Sequence, residues 1–192
     1  MPVSYETTRL STETTIDKMP VLITYATTRG STREVAERIA ARLHADGFAV
    51  DCRPVDHVYS VDNYSAVILG SAVHSHRWLL DAVKFLDIEA MGLQKRPVWT
   101  FSVSMAPASG PRWMRSKVVR KESQAIVDSV ARKVPKVRDH HLFAGKRERS
   151  HTSFPVRALY TCIGGSLGDL RDWDDIDSWT KTIAKQLAVE IS

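Results

Sequence analysis

Short apolar runs alternate with helical patterns along most of this chain. VLITYA (21–26) and AVILGS (66–71) are near-continuous apolar runs, as expected of central strands covered on both faces. FAVDC (48–52), VWTFSV (98–103) and HLFAG (141–145) predict three further strands. Between them, apolar residues recur at helical spacing. Val35, Ile39 and Leu43 form a stripe over 32–46, with Ser31 and Glu34 spaced as a capping box and Gly47 as a stop. Leu79, Val83 and Leu86 do the same over 78–90. Val119, Ile126, Val130 and Val134 mark a helix over 112–134 that Pro135 ends. Ile176, Trp179, Ile183 and Leu187 mark the last helix, 173–188, with Asp172 as N-cap and Asp174 and Asp175 at the positive end of its dipole. The stretch 53–65 is too short and mixed to assign to a helix.

The order strand–helix–strand, repeated, predicts an α/β fold: a doubly wound, five-stranded parallel sheet in the order 2-1-3-4-5, with helices on both faces. Ligands of such sheets bind at the carboxyl ends of strands 1 and 3, where the winding reverses. The 192 residues suit one domain, expected over 19–192 and preceded by a Ser/Thr-rich extension, 1–18. That extension lacks the apolar core of a signal peptide, and its Glu6, Glu13 and Asp17 argue against a mitochondrial transit peptide. The segment 146–172 is a long connection, a length that tends to be functional or to carry a short helix.

Composition changes this picture in two places. Cys52 and Cys162 are far apart, without metal-site or disulfide spacing, which fits reduced thiols in a cytoplasmic protein. No apolar run reaches the ~20 residues that span a membrane. Net charge is +5, yet residues 112–138 alone hold nine basic residues against two acids, a surplus of seven, so the remainder is net −2. A concentrated basic face says more about partners than the total does.

The loop after the first strand carries the candidate chemistry. TTRGST (27–32) enters a helix, and N–H groups at a helix N-terminus form a ready anion site. It lacks the Gly-Lys-Ser/Thr of a Walker loop and the three glycines of a dinucleotide fingerprint. Thr27 and Ser71 stand where a phosphorylation receiver of this topology needs carboxylates. What remains is a phosphate monoester held by hydroxyls and amides. The loop alone is equally a hydroxyl-rich turn capping a helix.

TTRGST resembles the phosphate loop of flavodoxins, T-x-T-G-x-T, with Arg29 in place of the third hydroxyl. NYSAVILGSAVHSHRW (63–78) resembles their third strand and first flavin-flanking loop, and FSVSM (101–105) occupies the place of the second. HLFAG followed by GDLRDWDDIDSWTKTIA (168–184) resembles the branch containing bacterial flavodoxin-like protoporphyrinogen oxidases. The likeness covers about 21–188. It implies the flavodoxin-like fold and FMN as cofactor. The phosphate would lie on Thr27, Thr28, Arg29, Gly30, Ser31 and Thr32. The isoalloxazine would lie between Ser71, Ala72, Val73, His74, Ser75, His76 and Trp78 on one side and Ser102, Val103 and Ser104 on the other, within the 102–113 segment.

Three departures from the family pattern bear on function. Arg29 replaces a hydroxyl but offers a guanidinium to phosphate. His74 and His76 stand where an aromatic is usual. The charge is basic where flavodoxin shuttles are acidic, which argues against docking onto a basic reductase. Trp78 and Trp113 are each as well explained by core packing as by flavin contact, and Trp173 and Trp179 by packing. His140 and His141 have no third ligand at metal spacing, and no nucleophile elbow supports hydrolysis. Cys162 carries no mechanism.

The resemblance implies an FMN-dependent oxidoreductase, protoporphyrinogen-oxidase-like, passing electrons from an organic substrate to a quinone or protein acceptor. A non-enzymatic electron carrier or FMN-binding module is the alternative, and a flavodoxin fold without FMN, active only in protein association, a third. The expected partners are a small-molecule redox substrate or quinone and an anionic membrane surface met through the basic helix 112–134. Arg112 and Arg115, with Lys146, Arg147, Arg149 and Arg157, would rim the flavin's open side. A homodimer is a further expected assembly. Nucleic acid is not expected, since no binding motif accompanies the charge. The expected location is cytoplasmic, peripheral at the inner face of the membrane.

Overall fold

Val21–Ala26 is buried at every position and forms β1 at the centre of a parallel sheet. The computed structural model describes residues 19–105, 112–147 and 168–190, excepting the side chains of 112–116, 118 and 147. β1 leads into α1 (Ser31–Ala45), then β2 (Val50–Pro54), a single 3-10 turn over Val55–His57, and β3 (Ala66–His74). A tight turn returns the chain along β4 (Arg77–Trp78), followed by α2 (Leu80–Ile88) and the short α3 (Ala90–Leu93). β5 (Val98–Ser104), α4 (Arg112–Ala131) and β6 (Val137–Ala144) complete the parallel order β2-β1-β3-β5-β6. With β4 set aside as an antiparallel hairpin partner of β3, this is the expected 2-1-3-4-5 winding. β7 (Lys146–Arg147) pairs antiparallel with β8 (Gly168–Asp169), and α5 (Trp173–Glu190) ends the described chain. The expected long loop 146–172 is therefore pinned at its base by a two-residue ladder; 148–167 lies outside the described residues, as do 1–18 and Cys162.

Strand alternation sends successive side chains to opposite faces. Ile23, Ile68, Trp99, Phe101 and Phe143 face α1 and α5, where Val35, Ile39, Trp179 and Ile183 complete one core cluster. Leu22, Val67, Leu69 and Val98 face α2 and α4 and join Ala82, Phe85, Ile126 and Val130 in a second. Gly70 permits the sheet's closest packing, since a Cβ there would lie 2.1 Å from the Phe101 ring.

Helix ends follow the sequence at three of four tested signals. Gly47 at φ 89° ends α1, and the Phe48 N–H donates back to the Leu43 carbonyl at 3.1 Å. The Asp172 carboxylate accepts from the N–H groups of Asp174 and Asp175, both at 3.1 Å, and so caps α5. Pro135 follows the end of α4. The capping box at α1 is corrected. Its N-cap is Gly30, in the left-handed region, with no side-chain cap. Ser31 and Glu34 both have long-range partners instead: Lys146 for one, and Arg171, whose Nη1 lies 2.6 Å from the Glu34 carboxylate, for the other. Burial among apolar neighbours pushes the Cys52 thiol up to about 11, helped by Glu37 and Asp51, which keeps it protonated and inert.

Candidate functional site

The loops at the carboxyl ends of β1, β3, β5 and β6 enclose a cleft of about 420 Å3. Its first wall is the β1–α1 loop. Thr27 turns the chain by accepting the Gly30 N–H on its hydroxyl at 3.1 Å. Gly30 then takes φ 84°, which frees the chain to enter α1. The first N–H groups of a helix have no intrahelical acceptor, and no side chain caps these. Thr32 is fully buried, and its Oγ1 has no hydrogen-bond partner among the described residues. A buried hydroxyl without a partner costs free energy, so this wall is built for a ligand that brings acceptors. Thr28 and Arg29 are exposed at its mouth.

The second wall is the β3–β4 turn, Ala72 to His76. Ser75 and His76 take φ values of 49° and 60°, a left-handed pair with no glycine. Such a conformation persists only where surrounding structure over-determines it. Here the ladder Val73↔Trp78 and His74↔Arg77 closes the turn, and His76 Nδ1 lies 3.5 Å from Glu122 Oε1. The third wall is Val103, Ser104 and Met105, with Gly145 and Lys146 beyond. The Ser31 hydroxyl ties the first wall to the third, lying 3.4 Å from the Lys146 carbonyl and 3.3 Å from its N–H.

Of the sixteen residues singled out from the sequence, twelve line this cleft: Thr27, Thr28, Arg29, Ser31, Thr32, Ala72 through His76, Val103 and Ser104. The other four stand behind it. Gly30 acts through its backbone conformation alone. Ser71 is buried, donating to the Ala72 carbonyl at 2.9 Å and accepting from the Leu79 N–H at 3.1 Å. Trp78 and Ser102 are corrected from lining to buttressing positions. The Trp78 indole N–H donates to the Ser102 hydroxyl at 2.7 Å, and that hydroxyl lies 3.3 Å from His140 Nε2. The reason is alternation: Ser71 and Ser102 pair across β3 and β5 on the α2/α4 face, below the rim. Trp113 and the side chains of Arg112 and Arg115 lie outside the described residues.

Glu122 is a cleft-lining residue that sequence reasoning missed. It is 5% exposed, lines the cleft, and accepts from the Ser104 hydroxyl at 3.0 Å. Its sequence signal was present: position 122 is three after Val119 and four before Ile126, within the apolar stripe of α4. Grouping it with the surrounding Lys and Arg hid that register. His140, one strand away, has Thr100 Oγ1 at 2.8 Å from its Nδ1. Burial pushes its imidazole down to about 4; Asp139 opposes this and His141 adds to it. His140 is thus neutral at physiological pH and belongs to the support of the cleft. His141 faces the other way, with Nε2 2.9 Å from Asp175. No group of three metal-ligating side chains occurs among the described residues.

A family model described as a flavodoxin domain matches residues 22–158. The chain belongs to the flavodoxin family. No curated protein matches it. Among solved structures, a flavodoxin from the domain Archaea is 16% identical, with 88% of this chain covering 99% of that one at a TM-score of 0.51. A short-chain flavodoxin associated with a non-canonical PDU bacterial microcompartment is 10% identical over 88% and 99%, TM-score 0.58. Rubredoxin oxygen:oxidoreductase from Desulfovibrio gigas is 16% identical; 92% of this chain matches 38% of that one, TM-score 0.53. At these identities the structural matches speak for the fold.

Flavodoxin membership implies FMN as the cofactor. The residues present fit it on one independent observation: the orphaned Thr32 hydroxyl sits in the uncapped helix N-terminus, where a phosphate supplies the missing acceptors. The protoporphyrinogen oxidase branch has no support in these matches. Among the described residues no helix is long and apolar enough to cross a membrane.

Proposed function

We propose that this flavodoxin is an FMN-dependent oxidoreductase that passes electrons from an organic substrate to a quinone or protein acceptor, in the manner of the protoporphyrinogen oxidase-like branch its C-terminal motifs resemble. The observation that carries the reading is the cleft itself: a phosphate-ready loop with an unpartnered buried hydroxyl, facing two flanking turns across about 420 Å3. Thr27, Thr28, Ser31, Thr32 and the first N–H groups of α1 would hold the phosphate, with Arg29 pairing its charge. The Ala72–His76 turn and Val103–Met105 would orient the flavin and limit water on its two sides. Bound FMN supplies one- and two-electron chemistry, while the protein supplies position and electrostatics. His76 Nδ1 and Glu122 Oε1, 3.5 Å apart, would place a polar pair on the cleft wall beside the flavin.

Basic charge favours an enzyme over an acidic-type shuttle. Lys117, Arg120, Lys121, Arg132, Lys136 and Arg138 are exposed on or beyond α4, and this face would meet an anionic membrane surface or anionic substrate, each Lys or Arg near such a membrane contributing about 1 kcal/mol. The second reading, an electron carrier, is favoured by the match to nearly the whole length, 99%, of an archaeal flavodoxin.

Titration with FMN tests the cofactor: the protein should gain a flavin band near about 450 nm and a higher melting temperature. A protein that stays colourless, with its melting point unmoved, sinks both readings. Turnover of a quinone without any partner reductase supports the enzyme; strict dependence on a reductase supports the carrier.

A further inference from the structure

A second concavity of about 560 Å3 lies between α2 and α4, within the range that small-molecule sites occupy, roughly 300–1,000 Å3. It adjoins the first cleft, since His76 lines both. Its floor is apolar: Trp78 and Val83 contribute to it, and Leu80 remains 64% exposed there. Its cations are Arg77, Arg132 and Lys133. No Asp or Glu is among the described residues that line it. Lys133 is paired with Asp87, while the guanidiniums of Arg77 and Arg132 are exposed and have no ion-pair partner among the described residues. An apolar floor with unpaired cations and no acid is complementary to one kind of ligand: an apolar body ending in a negative charge.

We propose that the α2/α4 groove binds a small organic anion, an apolar ring system bearing a carboxylate or sulfonate, with its body over Trp78, Leu80 and Val83 and its acid group on one of the two exposed guanidiniums that flank it, Arg77 or Arg132. The binding stands on the groove alone; the further role of this anion as the redox partner rests on the FMN reading, because the groove meets the cleft at His76. The proposal differs from phosphate recognition at the β1–α1 loop, which uses hydroxyls and helix N–H groups. It also differs from membrane docking by α4, which needs a surface and no concavity.

Anthraquinone-2-sulfonate is a suitable probe, read by calorimetry on the full chain with and without FMN. The groove should bind one equivalent, more weakly at high salt, and an uncharged hydroxymethyl analogue should bind at least about tenfold more weakly, since a charged hydrogen bond is lost. Arg77→Glu with Arg132→Glu should weaken the sulfonate by tenfold or more, and Arg132→Glu alone, which does not line the cleft, should leave FMN affinity unchanged. Val83→Trp should block both probes by filling the floor. The proposal is overturned if the wild type binds no probe, if the charge reversal leaves sulfonate affinity intact, or if the uncharged analogue binds equally well. Because Arg77 and Arg132 are exposed, their variant keeps the test valid even if Val83→Trp fails to fold. Probe binding without any FMN binding would uphold the groove and sink the FMN reading; FMN binding without probe binding would do the reverse.

Discussion

The two faces of the sheet are built on different principles. Toward α1 and α5 the strands present Trp99, Phe101 and Phe143, and Phe101 and Phe143 meet Trp179 edge-on, their centroids 6.2 and 5.6 Å from its ring. Toward α2 and α4 the same strands present Thr100, Ser102, Ser104 and His140, joined to Trp78 and Glu122. The first face gains its free energy mainly from burial and aromatic packing, with the Trp99 and Trp179 indole N–H groups donating to Gln186 and Asp139 at its margin. The second carries, besides its own apolar cluster, a polar network whose groups must find partners to be tolerated. That network runs beneath the loops of the cleft, so both faces hold the sheet and the second also positions the site.

The contrast can be broken most strongly on the aromatic face. Phe101→Ala should remove about 3–5 kcal/mol, the usual cost of deleting a buried aromatic, measured by urea unfolding. A loss below about 1 kcal/mol would mean that the aromatic cluster is not what holds α5 to the sheet.

The polar face should show itself in pH dependence. His140 titrates near 6.5 when exposed and at about 4 in the fold, so between those values the unfolded chain binds more protons and stability rises with pH. Its contribution is fully present above pH 6.5 and is lost progressively as pH falls to about 4. At about 1.4 kcal/mol per tenfold change in acidity it amounts to roughly 3 kcal/mol. His140→Gln should flatten the stability curve in that window. An unchanged slope would place the titration on another group.

At the cleft, Thr32→Val should act with opposite signs on two measurements. The unliganded protein should unfold no more readily, because a buried hydroxyl without a partner is removed. FMN affinity should fall about ten- to a hundredfold, from the loss of a charged hydrogen bond of roughly 1.5–3 kcal/mol. Equal affinity in both proteins would place the phosphate elsewhere.

The smallest expected effect is at the turn. Gly30→Ala meets only Arg33 and Glu34 atoms at 3.9 and 4.0 Å, so space is available. The φ of 84° still disfavours any side chain by about 1–2 kcal/mol. A melting temperature equal to wild type would show that the loop can relax to negative φ. Gly30→Val, with its branched Cβ, should lower it further.

Local signals and periodicity determined the frame by themselves. The run at 21–26 coincides with β1, Gly47 and Asp172 sit at the helix ends they mark, and the stripes of the first and last helices are buried throughout while Leu79, Val83 and Val119 of the other two are half-buried. These depend on neighbouring residues, so the sequence displays them directly. The candidate loop 27–32 was legible for the same reason, since a strand, a hydroxyl-rich turn and a helix follow one another without interruption. Partners distant in the chain were decided only by the tertiary structure. Ser31 and Glu34 have spacing for a local cap, yet Lys146 and Arg171 take them, more than a hundred residues away. Trp78 and Ser102 were expected at the flavin, but the β3–β4 hairpin and strand alternation turn them inward toward His140. Glu122 lies among cations in sequence and inside the cleft in space. In each case a side chain had two chemically reasonable settings, and only the packing of elements distant in the chain selected one.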